Sequence, residues 1–174
     1  MTAEYQRRIF LFLGILPNTE PQEAQKWLRH LLKPQDTLCM NVNLVDDSSK
    51  DEKGFQKILP QYDNPETRDW LLTLFDEIGI NRHSGKLFFE IHSSPTMPAL
   101  KRIEARYQFC TPICIAIDGV DYDFKKGEVL TLFFSNRYTL SLAHDFLMSL
   151  NVKTFGEWVL PKGEEVILAG TFLP

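Results

Sequence analysis

The 174-residue sequence contains no glycine-rich loop, although its apolar segments follow one another as in an α/β protein. Its nine glycines stand far apart, and no two of them form a G-x-G. Proteins that hold a phosphate or a dinucleotide usually meet it with backbone N–H groups at a tight glycine turn that opens a helix. We therefore expect no complete phosphate-binding or dinucleotide-binding loop within these residues.

Basic residues and cysteines are also few. The chain has 19 Lys and Arg against 23 Asp and Glu, which gives a net charge of −4. This balance argues against the broad basic surface that nucleic-acid binding requires. The three cysteines, Cys39, Cys110 and Cys114, are an odd number, which favours a reducing compartment, so we expect a cytoplasmic protein. The four histidines show no zinc-ligand spacing, and no metal site is predicted.

Long hydrophobic runs are lacking as well. The apolar run from Ile9 to Leu16 is far too short to cross a bilayer, so no membrane association is expected. Aromatic residues, in contrast, make up 12% of the chain, which is high. We expect most of them in the core and fewer at a subunit interface.

The N-terminal segment predicts a strand, a helix and a second strand. Residues 9–13 are continuously apolar and end at Gly14, which is typical of a strand covered on both faces. Asn18 or Thr19 is expected to cap a helix that has Pro21 in its first turn. Residues 37–45 are the next strand, in a right-handed parallel crossover. The predicted apolar stripe of the helix consists of Ala24, Trp27, Leu28, Leu31 and Leu32.

After residue 45 the pattern changes to that of an α+β segment. Residues 46–51 are a polar linker. A helix begins at Asn64-Pro65 and ends at Gly79, with Trp70, Leu71, Leu74, Phe75 and Ile78 on its apolar face. Strands are then predicted at 86–92, 102–110, 113–118 and 128–134, and they favour an antiparallel sheet with a hairpin turn at Asp118-Gly119.

The C-terminal segment returns to the first pattern. Thr139 is expected to cap a helix, and strands at 152–160 and 165–173 form a closing hairpin. The predicted fold is mixed α/β: a partial Rossmann-like sheet, an inserted α+β segment and a C-terminal antiparallel hairpin. Residues 1–46 and 138–174 form the sheet domain, and residues 47–137 form the insertion.

Several short motifs in a fixed order carry a resemblance to a known family. They are Phe10 to Gly14 followed by Asn18 and Pro21-x-Glu23-Ala24, then Asn41 to Asp47, Gln61 to Pro65, Arg102-Ile103-Glu104, Gly127-Glu128 and Ser135-x-x-Tyr138-Thr139. Taken together they resemble the C-terminal half of the histidine-specific, S-adenosylmethionine-dependent methyltransferases of ergothioneine biosynthesis. The resemblance covers nearly the whole chain.

The resemblance implies a methyltransferase core that binds S-adenosylmethionine and a second domain that holds an amino acid whose α-nitrogen is methylated. In this family's pattern Asn18 matches the asparagine that binds the substrate's amino group. Tyr62 matches the tyrosine near the substrate and the methyl group, and Ser135 matches the serine that holds the imidazole. The turn at Gly14 is implied to lie in the cofactor-binding region.

Three positions depart from the family's pattern. Phe133 stands where the family has a glutamate, and a carboxylate is the natural partner of an imidazole N–H. Phe133 therefore argues against histidine as the substrate. Ala105 replaces a methionine of the pocket, and Asn43 stands for an aspartate.

Two classes of function follow from these observations. In the first, the chain is a truncated or split methyltransferase that lacks the glycine-rich cofactor loop and is inactive alone. A sheet without its first strands exposes an edge, so a homo-oligomer or a second polypeptide that completes the sheet is expected. The alternative is a non-enzymatic module that binds an amino-acid-like small molecule or a protein. A hydrolase of the Gly-x-Ser-x-Gly type is not indicated, because that motif is absent.

Overall fold

The computed structural model describes residues 7–45 and 53–174, so the predicted linker at 46–51 lies outside the described residues. The described chain is mixed α/β, with nine strands and four α-helices. In chain order these elements are β1 (Ile9–Phe12), α1 (Pro21–Leu31), β2 (Thr37–Asn43), α2 (Lys53–Tyr62), α3 (Pro65–Glu77), β3 (Gly85–Ser93), β4 (Lys101–Phe109), β5 (Ile113–Ile117), β6 (Val120–Phe124), β7 (Val129–Arg137), α4 (Leu140–Ser149), β8 (Val152–Val159) and β9 (Glu165–Phe172).

The chain divides into two compact units. The first takes its described residues from the ranges Met1–Gly54, Ser93–Arg102 and Ser135–Pro174. The second consists of Phe55–His92 and Ile103–Phe134. The functional meaning of the predicted domains, a methyltransferase core and a substrate domain, stays a prediction.

The first unit is built on a four-stranded sheet in the order β1-β2-β9-β8. β1 runs parallel to β2, with Ile9 opposite Thr37, and β9 is antiparallel to both β2 and β8. The strand–helix–strand unit and the C-terminal hairpin predicted from the sequence are therefore present. Short apolar runs separated by glycine, proline and polar turns were enough to predict both.

The two helices of the first unit pack on one face of this sheet. Alternate residues of β2, Leu38, Met40 and Val42, join a buried cluster with Leu28 of α1 and Phe146 of α4. Residues two apart in a strand share a face, so both helices cover the same side.

The expectation that β1 is covered on both faces was wrong. Phe12 is buried in the cluster, and Phe10 packs against it. Ile9 and Leu11 point to the other face and are 72% and 67% exposed. The reason is that α1 and α4 lie on one side, and no other described element covers β1 from the opposite side.

The start of α1 also differs from the prediction. Pro21 occupies the first turn as expected, but the N-cap is Glu20, whose side chain makes no capping bond. Asn18 ends a separate 3-10 helix, Leu16–Asn18. The Thr19 hydroxyl donates to the carbonyl oxygen of Ile15 at 2.9 Å instead of capping α1. Ser, Thr and Asn side chains have several such local options, which compete with helix capping.

Two helices expose part of their predicted apolar faces. In α1, Leu28 is buried, whereas Trp27 and Leu31 are 45% and 47% exposed. In α3, Phe75 is buried, whereas Trp70 is 64% exposed. The predicted stripes were therefore wider than the faces that are buried.

The second unit contains a three-stranded sheet, β3-β4-β7, and a two-stranded antiparallel hairpin, β5-β6. The hairpin turn predicted at Asp118-Gly119 is present, with φ of 50° and 78° at its two central residues. β6 itself was not predicted, although its residues alternate between apolar and acidic types as in a half-exposed strand. In the core of the unit, the ring of Phe75 packs edge-on against Tyr107 at a centroid distance of 4.4 Å.

Candidate functional site

The carboxyl ends of the parallel strands β1 and β2 meet at one edge of the first sheet. In open α/β sheets, ligands bind outside the carboxyl ends of the strands. Gly14 and Asn18 follow β1, and Asn43 ends β2. We call this edge, with Gly14, Asn18, Asn41, Asn43 and Ser135, the carboxyl edge.

Asparagine side chains hold the turn at Gly14. Gly14 has φ +72°, the left-handed conformation that glycine adopts at low cost. Its N–H donates to Oδ1 of Asn41 at 2.5 Å, and Nδ2 of Asn18 donates to its carbonyl oxygen at 3.4 Å. Nδ2 of Asn41 in turn donates to Glu165 at 2.5 Å. The backbone N–H of Gly14 is therefore already used within the protein.

Ser135 reaches the carboxyl edge because the segment after β7 runs beside the end of β2. The N–H of Tyr138 donates to the carbonyl oxygen of Asn43, and the N–H of Val45 donates to that of Tyr138, both at 2.9 Å. The Ser135 side chain is buried, and its Oγ accepts a hydrogen bond from Nδ2 of Asn43 at 3.3 Å.

A further hydrogen bond brings the Asn18 and Ser135 segments together. Nδ2 of Asn136 donates to the carbonyl oxygen of Thr19 at 2.9 Å, so the residue after Ser135 bonds the residue after Asn18. Asn18 is exposed, and its Oδ1 accepts no hydrogen bond from a described residue. That oxygen can accept from the N–H of a ligand amine.

Two buried polar atoms near this edge have no hydrogen-bond partner among the described residues. They are Oδ1 of Asn136 and the hydroxyl of Tyr138. Burial, and secondarily the charge of Glu20, raises the pKa of Tyr138 well above its usual value. Buried polar groups normally have a partner, so a water or a ligand atom would be favoured next to each of them. Sequence analysis did not identify Asn136, whose only signal is its position beside Ser135.

An ionic network fixes the start of α1. Nη1 of Arg102 lies 2.5 Å from Oε1 of Glu20, and the hydroxyl of Thr96 donates to the other oxygen of that carboxylate at 3.0 Å. The Arg102 side chain is only 10% exposed. The network ties the segment 93–102 to the residue that caps α1, close to the Asn18 turn.

Tyr62 belongs to the second unit, where it forms an aromatic cluster with Phe133 and Trp70. The ring centroid of Phe133 lies 6.0 Å from that of Tyr62 and 6.3 Å from that of Trp70. Phe133 thus contacts both rings, at the position where the family's pattern has a carboxylate. β7 carries both Phe133 of the second unit and Ser135 of the first.

A second charged cluster lies on β3 and β4 of the second unit. Nη1 of Arg106 lies 3.1 Å from Oε2 of Glu90 and 3.2 Å from Nε2 of His92. The hydrogen bond from His92, and then that from Arg106, lowers the pKa of Glu90. Arg106 is far from Glu90 and His92 in the sequence, and the pairing of β3 with β4 brings it beside them.

The described residues of the carboxyl edge do not fit the whole of S-adenosylmethionine. A nucleoside cofactor needs a free backbone N–H turn at its polar end and a carboxylate for its ribose. The Gly14 N–H is occupied, and the carboxylates of Glu20 after β1 and of Glu165 opposite Asn43 are already bonded to Arg102 and Asn41. Asp46 and Asp47, which belong to one of the motifs, lie outside the described residues.

Metal ligands and membrane-spanning helices were searched for in the same residues. Within residues 7–45 and 53–174, no group of three His, Cys, Asp or Glu side chains could hold a metal ion. Among the helices found there, none is long and apolar enough to cross a membrane.

Comparisons with known proteins identify a family and a similar solved structure. No curated protein matches the sequence. The crystal structure of the glycopeptide N-methyltransferase MtfA is similar over 95% of this chain, with 6% sequence identity and a TM-score of 0.36. The chain spans 56% of the length of that structure. The profile of the SAM-dependent, histidine-specific methyltransferases matches residues 1–168. The chain therefore belongs to the family of histidine-specific, S-adenosylmethionine-dependent methyltransferases.

Proposed function

We propose that the chain supplies the acceptor-binding part of a methyltransferase and positions the amino group of a small, amino-acid-like molecule. The observation that carries the proposal is the carboxyl edge, where Asn18, Asn43 and Ser135 lie on segments joined by hydrogen bonds. Asn18 and Ser135 are positions at which the family resemblance implies substrate contacts, and the family itself is one of methyltransferases.

Three residues of the edge have defined roles in this proposal. Oδ1 of Asn18 accepts an N–H of the acceptor's amino group. The pair formed by Asn43 and Ser135 bonds a second polar group of the same molecule. Methylation of an amine requires a nitrogen held in a fixed position and does not require a strong acid or base, so positioning is the main contribution of these side chains.

The proposed acceptor has a side chain other than imidazole. Phe133 stands where the family's pattern has a glutamate; its ring contacts those of Tyr62 and Trp70 and offers no hydrogen-bond acceptor. The family's pattern implies a glutamate for the imidazole N–H at this position, and Phe133 cannot take that role. An aromatic or aliphatic side chain needs no such hydrogen-bond acceptor.

The chain alone is proposed to be inactive. The sequence has no glycine-rich loop, and the described carboxyl edge does not fit the whole cofactor. The same two observations favour a second candidate, a binding module that holds an amino-acid-like ligand without catalysis. Methyl transfer after addition of a cofactor-binding partner would separate the first candidate from the second.

Calorimetric titration tests the proposal. The pure chain is titrated with phenylalanine, leucine and histidine, and separately with S-adenosylhomocysteine. We expect the first two amino acids to bind better than histidine, and Asn18→Ala to weaken binding about 10-fold through loss of a hydrogen bond to a charged amine. Gln56→Ala, an exposed amide of α2, is the control and leaves the affinity unchanged.

Two results would contradict the proposal. If none of the amino acids binds, or if Asn18→Ala and Gln56→Ala behave alike, the carboxyl edge is not an acceptor site. If S-adenosylhomocysteine binds the lone chain with micromolar affinity, the chain holds the cofactor without a partner, and methyl transfer by the chain alone should be assayed.

A further inference from the structure

The backbone changes conformation immediately after Asn18, between the 3-10 helix and α1. Asn18 ends the 3-10 helix, and Thr19 follows in an extended conformation with φ −128° and ψ 142°. Glu20, the N-cap of α1, is also extended, with φ −61° and ψ 131°. Because Pro21 disfavours the helical conformation for the residue before it, the conformation of Glu20 has a local cause. Thr19 does not precede a proline, so its conformation depends mainly on other contacts.

A buried side chain supplies the contact that holds Thr19. Nδ2 of Asn136, near the end of β7, donates to the carbonyl oxygen of Thr19 at 2.9 Å. Thr19 is also held on its other side, because its N–H donates to the carbonyl oxygen of Leu16 at 3.3 Å. Asn136 is 0% exposed, and a hydrogen bond shielded from water is electrostatically stronger than an exposed one. The bond from Asn136 therefore fixes the direction in which the chain leaves Asn18.

The side chain of Asn18 depends on this backbone for its orientation. Among the described residues its amide makes one hydrogen bond, from Nδ2 to the carbonyl oxygen of Gly14 at 3.4 Å. That distance is longer than the usual range of about 2.7–3.2 Å, so the bond orients the amide only weakly. Asn18 is exposed, and no close packing holds its side chain. The direction of Oδ1 is therefore set mainly by the backbone of Asn18 and Thr19.

Asn136 is not explained by stability alone. Its Oδ1 is buried and has no hydrogen-bond partner among the described residues, which destabilises the folded state. A leucine of similar size at this position would bury no such atom, and replacing a buried polar group by an apolar group of the same shape is often neutral or stabilising. Positions at which a protein departs from the best-packed choice are commonly functional.

We infer that Asn136 is a positioning residue of the proposed acceptor site. It holds Thr19, and through Thr19 it directs Oδ1 of Asn18 toward the amino group of the ligand. The inference rests on the proposed function, in which Asn18 binds that amino group. Asn136 itself does not touch the ligand, because its side chain is buried. A small displacement of a positioned group is enough to lose its contribution, so the distant amide matters for binding.

A double-variant cycle tests the inference. The wild type, Asn136→Leu, Asn18→Ala and the double variant are each titrated with phenylalanine in a calorimeter. We expect Asn136→Leu to weaken the affinity about 5-fold to 10-fold, approaching the loss in Asn18→Ala. The double variant should bind no more weakly than Asn18→Ala alone, because the orientation of Oδ1 has no effect once that atom is absent. Two residues that act independently would instead multiply their losses.

A ligand without the amino group separates positioning from general damage to the site. 3-Phenylpropionate has the ring and the carboxylate of phenylalanine but no amine. Its affinity should change less than about 2-fold in Asn136→Leu, because the bond that Asn136 supports is not made with this ligand.

Asn151→Gly is the matched control. Nδ2 of Asn151 also donates to backbone carbonyl oxygens, those of Leu173 and Pro174, but at the opposite end of the sheet, where Thr37 begins β2. Asn151 has φ 60°, which glycine adopts at low cost. The affinities for both ligands should be unchanged in this variant.

Stability and NMR spectra give further readouts. Asn136→Leu should melt at or above the temperature of the wild type, because it removes an unpartnered buried acceptor. Asn136→Ala, whose small side chain cannot overpack the site, should show the same binding pattern. In the free protein the side-chain amide signals of Asn18 should shift in both Asn136 variants and stay unchanged in Asn151→Gly.

The possible failures are distinguishable. If Asn18→Ala weakens phenylalanine binding while both Asn136 variants bind as the wild type does, the inference is wrong and the proposed function stands without it. If Asn136→Leu weakens both ligands equally, or if the losses multiply in the double variant, Asn136 has only a structural role. If Asn18→Ala leaves the affinity for phenylalanine unchanged, the proposed function itself fails, and the inference fails with it.

Discussion

Nδ2 of Asn43 donates to Oγ of Ser135 at 3.3 Å, and this bond joins the end of β2 to the end of β7. Ser135 is almost fully buried. Ser135→Ala removes the acceptor of the Asn43 amide, so we expect the free energy of unfolding to fall by about 1–2 kcal/mol. Urea unfolding measures the change. Ser93→Ala, at an exposed serine of the same unit, should change stability by less than ~0.5 kcal/mol, and equal losses in the two variants would contradict the structural role of the bond.

The left-handed Gly14 turn gives a second prediction. No atom lies within 4 Å of the position that a Cβ would take at Gly14, so an added side chain meets no steric obstacle. Gly14→Ala is therefore expected to cost about 1–2 kcal/mol from backbone strain alone. Asparagine tolerates this conformation better than alanine. Gly14→Asn should accordingly melt at a higher temperature than Gly14→Ala, and the opposite order would show that the backbone conformation is not the source of the loss.

The buried hydroxyl of Tyr138 predicts a pH dependence at the alkaline end. Burial raises the pKa of Tyr138 in the folded protein, with a smaller effect from Glu20. In the unfolded chain the pKa of a tyrosine is about 10, so above that pH the unfolded chain loses this proton while the folded protein keeps it. The free energy of unfolding is therefore unaffected by Tyr138 below about pH 10 and falls as the pH rises above it. Between pH 9 and pH 11 the free energy of unfolding should therefore fall less in Tyr138→Phe than in the wild type. The phenol accepts no bond from the described residues, so the variant should cost little at neutral pH.

Tyr122→Phe is the matched control for this prediction, because Tyr122 is 46% exposed on β6. Urea unfolding at both pH values should give the same pH dependence for this variant as for the wild type. If both tyrosine variants change the pH dependence of the unfolding free energy equally, the burial of Tyr138 is not the cause of that dependence.

The aromatic cluster of the second unit predicts a change of ligand preference. Phe133→Glu removes two ring contacts, each worth about 0.5–1.5 kcal/mol, and should lower stability. The new carboxylate can accept the N–H of an imidazole, so affinity for histidine relative to phenylalanine should rise about 10-fold. Calorimetric titration measures both ligands. Phe133→Gln, which loses the rings but gains no charge, should show a smaller shift, and an unchanged preference in Phe133→Glu would separate this cluster from the acceptor's side chain.

Local sequence patterns predicted much of the fold. The parallel pair β1 and β2, the helix between them and the closing hairpin follow from short apolar runs bounded by glycine, proline and polar turns. The exposure of Ile9 and Leu11 could not be predicted in the same way. A continuous apolar run has the same sequence whether one face or both are covered, and only the placement of α1 and α4 on one side decides between them.

The site was less accessible to sequence reasoning than the fold. The family resemblance identified Asn18 and Ser135, but the hydrogen bond from Asn136 to Thr19 joins residues that are far apart in the chain. No periodicity or local motif signals such a contact, because it depends on the position of the β7 end beside β2. Whether Asn18, Tyr62 and Ser135 bind substrate, and whether Gly14 contacts the cofactor, stay predictions.

The hydrogen bonds around Gly14 have a thermodynamic consequence for any ligand of the carboxyl edge. The turn is held by Asn41, which is itself held by Glu165, before a ligand is present. A binding loop that is ordered in advance loses little conformational entropy on association, so less of the contact energy is offset. The Gly14 amide should therefore exchange slowly with deuterium even in the free protein, and ligand addition should change that rate little.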